Sequence, residues 1–168
     1  RGKRPGIDRT DPSGPMKFLN ALLFLLTVGS TYLTGGLQYC LALMTILVAH
    51  EMGHYVMSRH HGIPASLPYF IPFPLPPFGT LGAVIKMKGL VTTRKALFDT
   101  GAAGPIAGFL FSLPFIVIGI RLSSVEMITA TEPLFRLGDP LLFVILQKIL
   151  VGPIPEGYDL VLHPLAYA

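Results

Sequence analysis

Apolar and polar positions alternate along this chain in blocks rather than residue by residue. From Phe18 to Ala49 thirty-two consecutive positions carry no charge, which is too long for one membrane span of about 20 residues. Gly35-Gly36 divides the run into 18–34 and 37–58, and a two-glycine break with so little linker predicts an antiparallel helical hairpin. A third apolar block, 101–122, is long enough to span, with Asp99 or Thr100 as its cap. Between these helices 67–78 is apolar but holds five prolines, which forbid a helix. From Ala83 the pattern becomes that of a short strand, with Ile85 and Met87 on one face and Lys86 and Lys88 on the other. Irregular apolar backbone survives at membrane depth only when covered by protein or lining a wet cavity. The stretch 67–89 is therefore expected to form a re-entrant β-hairpin and Pro-rich loop, the alternative being an apolar loop on the headgroups. The block 140–151 is about half a span, 152–157 is a turn cluster, and a new segment starts near Leu162, with His163 as a polar helix start.

The fold class expected is thus an all-α polytopic membrane protein with one re-entrant element. Its single core, 18–168, follows a basic, flexible lead-in over 1–17. Composition agrees: 51% of the 168 residues are hydrophobic, only 13% are charged, and mean hydropathy is +0.61, against about 25% charged in soluble domains. Charge placement then orients the chain. Arg1, Lys3, Arg4, Arg9, Lys17, Arg59, Lys86, Lys88, Arg94 and Lys95 gather at one end of the predicted helices. Beyond Arg121 the balance is acidic, with Glu126, Glu132, Asp139, Glu156 and Asp159 against Arg136 and Lys148. The basic end is expected on the cytoplasmic side, or the stromal side of a plastid membrane. His60 and His61 fall just past a helix end, where solvated cations are favoured. The lone Cys40 cannot form an internal disulfide. No sequence repeat, phosphate loop or nucleic-acid motif is present. The opening at Arg1, and the apolar stretch starting as Ala168 is reached, lead us to expect an excerpt of a longer protein.

Ionisable groups are costly inside an apolar helix, yet the second arm of the hairpin carries His50, Glu51 and His54. Four residues apart on a helix, the two imidazoles lie about 40° apart and one turn along, on one face. Such a pair can grip a Zn²⁺ ion, while Glu51 on the flank serves as general base toward an activated water. The motif would lie on the order of 10 Å below the cytoplasmic surface, given five residues from His54 to Arg59 at 1.5 Å per residue. The bland alternative is two buried histidines hydrogen-bonded to neighbouring helices. Gly101, Gly104 and Gly108 offer a small-residue face for close helix packing.

His50-Glu-Met-Gly-His54, the Pro-rich stretch 67–78, Gly79-Thr-Leu-Gly-Ala83, Phe98-Asp-Thr-Gly-Ala-Ala-Gly-Pro-Ile-Ala-Gly108 and Leu162-His-Pro-Leu-Ala-Tyr-Ala168 together resemble the site-2 protease family, particularly its bacterial and plastid members. The likeness runs from about Leu37 to Ala168. It implies a three-helix catalytic core that cleaves transmembrane segments of other proteins in the bilayer. It also implies zinc on His50, His54 and an aspartate of an Asp-Gly motif on the next helix, beyond Ala168. Some family members carry Asn where Gly108 stands. The expected roles are Glu51 as catalytic base and His50 and His54 as metal ligands. Gly79, Thr80, Leu81, Gly82, Ala83, Val84 and Ile85 would bind an unwound substrate strand. The resemblance also places the protein in a bacterial plasma membrane or plastid membrane. Two other readings stay open. One is a membrane zinc peptidase that uses a downstream Glu as ligand and acts on surface peptides. The other is a non-catalytic scaffold or transporter with a His/Glu metal or proton site.

Overall fold

A computed structural model describes residues 13–87, 91, 93–127, 140–155 and 157–168. The lead-in over 1–12, together with Lys88, Glu132, Arg136, Asp139 and Glu156, lies outside the described residues.

Helix α1 (Ser13–His60) is one 48-residue helical run broken at Gly36, where φ is 76° and ψ −175°. Glycine alone adopts that positive φ without steric cost. The break folds the run back on itself. Thr31 Oγ1 donates to Cys40 Sγ at 3.2 Å across nine residues, a separation that a straight helix would stretch to about 14 Å at 1.5 Å per residue. The two arms share a core in which Cys40 and Met44 meet Phe24, Val28 and Phe70, the two phenyl rings edge to face at 5.1 Å. Thr27 and Thr31 on the first arm are buried but satisfied locally, Thr27 Oγ1 donating to the Leu23 carbonyl and Thr31 Oγ1 to that of Thr27, both at 2.8 Å. The first arm starts at Ser13, five residues before the expected Phe18. Pro15 is tolerated there because the first-turn N–H groups have no helical partner in any case.

Strands β1 (Tyr69–Pro72) and β2 (Thr80–Val84) form an antiparallel pair with Tyr69 opposite Val84 and Phe70 opposite Ala83. The strand thus begins at Thr80, three residues ahead of the expected Ala83, and an isolated bridge between Ala65 and Met87 extends the ladder. Three α1 side chains hold this hairpin down. Ser30 Oγ donates to the Gly79 carbonyl at 2.6 Å, the Tyr39 hydroxyl to that of Phe78 at 3.0 Å, and Asn20 Nδ2 to that of Leu67 at 3.4 Å. These bonds tie the two ends of the Pro-rich stretch to α1, while its tip, 74–78, is exposed.

Helix α2 (Arg94–Leu122) starts seven residues earlier than the predicted 101. Its cap is Thr93, whose Oγ1 accepts from the Ala96 N–H at 3.1 Å, and Arg94, Lys95, Ala96 and Leu97 are all strong helix formers. Neither Asp99 nor Thr100 caps it. The strands β3 (Ser124–Met127) and β4 (Tyr158–Val161) then pair antiparallel, an element not anticipated from the sequence. The short amphipathic helix α3 (Leu141–Leu150) buries no residue fully. Finally α4 (Pro164–Tyr167) is capped by His163, whose Nδ1 accepts from the Leu165 N–H at 3.3 Å. It seats against Gly119 of α2, where a side chain would strike the Ala166 backbone. The stretches Phe18–His60 and Arg94–Leu122 are both long and apolar enough to cross a membrane, and large apolar side chains such as Leu25, Leu33, Leu41, Ile106 and Leu110 point outward.

Candidate metal centre

The second arm of α1 and the first turns of α2 run antiparallel and in close contact. Gly53 makes this possible, since a Cβ there would collide with the Ala103 carbonyl. Close approach brings α2 against the two histidines. A Cβ on Gly104 would overlap the His54 ring at Nε2, Cδ2 and Cε1, and one on Gly108 would lie 3.1 Å from His50 Nδ1. The small-residue face is thus more than a packing surface, because it makes the room the imidazoles occupy. Its four-residue spacing, Gly104 to Gly108, repeats that of His50 to His54, which is the one trace of this role in the sequence.

The rings converge. His50 Nε2 and His54 Nε2 are 3.1 Å apart, with the ring planes at 71°. Two nitrogens at about 2.0–2.1 Å from one tetrahedral zinc ion sit about 3.3 Å from each other. The separation therefore fits a shared metal. The other nitrogen of His54, Nδ1, is 2.7 Å from the Thr100 carbonyl. A carbonyl only accepts, so Nδ1 carries the proton and Nε2 is left with its lone pair free, the tautomer a metal ligand needs. Among the described residues no third His, Cys, Asp or Glu joins these two to complete a metal-binding group.

His50, Glu51 and His54 line one wall of a cavity of about 360 Å³. Glu51 is only 5% exposed, and among the described residues it makes no ion pair. A carboxylate in that position faces the cavity with its acceptor oxygens uncommitted. Ala83, Val84, Ile85 and Met87 of the hairpin line the same cavity, as do Val91, Leu97, Thr100 and Gly101. Of the seven residues expected to bind substrate, then, the structure brings Ala83, Val84 and Ile85 to the cavity. Gly79 instead packs under the hairpin against Thr31 and Thr34, and the Thr80 hydroxyl donates to the Ile71 carbonyl at 2.9 Å. Leu81 points outward, and Gly82 does not line the cavity. His61 departs from the reading of a solvated cation, since its Nε2 lies 2.8 Å from Asp99 Oδ2.

Half-buried His50 and His54 with converging imidazoles, the buried Glu51 and a strand lining the same cavity resemble the H-E-x-x-H arrangement that zinc-dependent peptidases use. The profile of peptidase family M50 matches residues 38–159, and the chain belongs to that family, the site-2 protease family. Among curated proteins it is 29% identical over 167 residues to the probable chloroplastic zinc metalloprotease EGY1 of Oryza sativa subsp. japonica, covering 95% of this chain and 27% of that protein. It is 31% identical over 134 residues to the probable chloroplastic zinc metalloprotease EGY2 of Arabidopsis thaliana, covering 79% of this chain and 24% of that one. The chain spans about a quarter of the length of these relatives. No solved structure matches it.

Proposed function

We propose that this chain is the catalytic core of an intramembrane zinc metalloprotease, which hydrolyses peptide bonds in or near transmembrane segments of other membrane proteins. The observation that carries the proposal is the 3.1 Å approach of the His50 and His54 Nε2 atoms beside the buried Glu51. In this reading α1 crosses the bilayer twice, turning at Gly36, and α2 crosses once, with β1–β2 dipping in beside the site. The basic residues Arg59, Arg94 and Lys95 mark the end facing cytoplasm or stroma. The chloroplastic relatives and the family favour a plastid or bacterial plasma membrane. The apolar side chains exposed along α1 and α2 favour membrane-embedded substrates over soluble peptides.

His50 and His54 would hold the zinc, with a further ligand from outside the described residues. Bound there, zinc would lower the pKa of a water to about 7 and polarise the scissile carbonyl. The chain's own groups do the rest. The Thr100 carbonyl keeps His54 in the ligating tautomer. Glu51 takes the proton of the attacking water and passes it to the leaving amine, a role worth about 10²- to 10⁴-fold in rate. A helical peptide bond is shielded by its own hydrogen bonds, so the substrate must enter extended. Among the described residues β2 is paired only with β1. Its other edge is free to accept such a segment at Val84 and Ile85 by strand addition.

The test is Glu51→Gln in the intact protein, reconstituted with a transmembrane substrate. Cleavage falls by at least about 100-fold, while zinc content by elemental analysis stays at the wild-type level. Undiminished cleavage would refute the assignment of Glu51.

A further inference from the structure

His54 and His61 are seven residues apart, two helical turns and about 20° round. His61 keeps the helical register one residue past the end of α1, its N–H donating to the Met57 carbonyl at 3.1 Å. The two side chains therefore share a face, and they engage consecutive residues of α2. His54 Nδ1 meets the carbonyl of Thr100 at 2.7 Å, and His61 Nε2 meets the carboxylate of Asp99 at 2.8 Å. Both α2 partners lie in the second turn of a helix whose start is otherwise held by the Thr93 cap.

We propose that His61 and Asp99 form a positioning pair for the metal site, holding the start of α2 so that the Thr100 carbonyl stays on His54 Nδ1. The inference rests on the zinc reading of His50 and His54 given above. Partly exposed ion pairs of this kind contribute little to folding stability, and side-chain exposures of 18% for His61 and 27% for Asp99 place this pair in that class. Its geometric leverage is larger. The carbonyl that orients His54 belongs to the residue directly after Asp99, so a shift of that turn is transmitted to the ligand without any intervening flexible side chain. Groups that orient a metal-ligating histidine typically influence metal affinity by about 10- to 100-fold.

Asp99→Ala removes the acceptor, and Asp99→Asn keeps one amide oxygen to receive the His61 N–H. In intact, detergent-purified protein, zinc affinity is read by competition with a chromophoric chelator, alongside kcat and KM for a transmembrane substrate. Asp99→Ala should weaken zinc binding about 10- to 100-fold and lower kcat with KM little changed. Asp99→Asn should stay within about threefold of wild type, the difference between a charged and a neutral acceptor in the same geometry. Wild-type zinc affinity in Asp99→Ala would overturn the proposal, and so would an equal loss in Asp99→Asn. His61→Ala should reproduce the Asp99→Ala loss and add nothing to it in the double variant; it carries the test if Asp99→Ala fails to fold, and additive losses would overturn the coupling. Zinc binding in wild type that His54→Ala leaves intact would instead overturn the underlying metal site.

Discussion

Substituting Gly104 and Gly108 by alanine separates a site built on glycine from a helix that merely contains it. On propensity alone each change should help, since Ala is favoured over Gly in a helix interior by about 0.5–1 kcal/mol. The tertiary contacts say otherwise, and unequally. A Cβ on Gly104 overlaps three atoms of the His54 ring. That ring cannot turn away freely, because its Nδ1 is held 2.7 Å from the Thr100 carbonyl. Van der Waals contact would be restored only by moving the imidazole or the α2 backbone by about 1 Å or more, a displacement that costs about 100-fold when it falls on a reacting group. A Cβ on Gly108 meets His50 Nδ1 at 3.1 Å and His50 Cβ at 3.3 Å, which relaxes with a few tenths of an ångström. Gly104→Ala should therefore lose about 100-fold in cleavage and much of its zinc, with overpacking costing about 1–3 kcal/mol of stability. Gly108→Ala should lose no more than several-fold, within the roughly 1 kcal/mol of a mild packing change. The assays are cleavage of a reconstituted transmembrane substrate, zinc by elemental analysis and thermal unfolding, run on both variants. Full zinc and cleavage in Gly104→Ala, or a heavier loss in Gly108→Ala than in Gly104→Ala, would refute this reasoning.

Two further outcomes follow from the hairpin that walls the cavity. Ile85→Pro should cut kcat/KM for a membrane substrate at least 10-fold while zinc content is unchanged, because proline blocks a backbone donor at an edge that receives an extended segment; unaltered cleavage would remove strand addition from the mechanism. Tyr39→Phe should lower stability by about 0.5–1.5 kcal/mol, since the bond from its hydroxyl to the Phe78 carbonyl is lost, and a denaturant midpoint equal to wild type would show that this bond does not anchor the hairpin.

How much of this was legible in the chain depends on how local each feature is. The Gly35-Gly36 break was legible because a positive φ at one position is a one-residue decision. His50, Glu51 and His54 were legible because helical periodicity alone places them on one face. The start of α2 was misplaced because Asp99 looks like a cap when nothing shows it engaged elsewhere. In the fold it is taken by His61, 38 residues away, and the cap falls to Thr93. The β3–β4 pair escaped notice because strands of four residues carry too few positions for a period of two to stand out.

By itself, then, the sequence determined the apolar helices, the point where the first doubles back, and the chemistry of the H-E-x-x-H motif. Each is set by steric and solvation preferences within a turn or two of chain. Only the tertiary structure decided what surrounds that motif. Gly104 and Gly108 became the wall behind the imidazoles, the Thr100 carbonyl the group that orients His54, and Ala83, Val84 and Ile85 part of the lining of the same cavity. A contact such as His54 to Thr100 spans 46 residues and depends on how closely two helices approach, and the spacing of side chains along one strand of sequence carries no record of that distance.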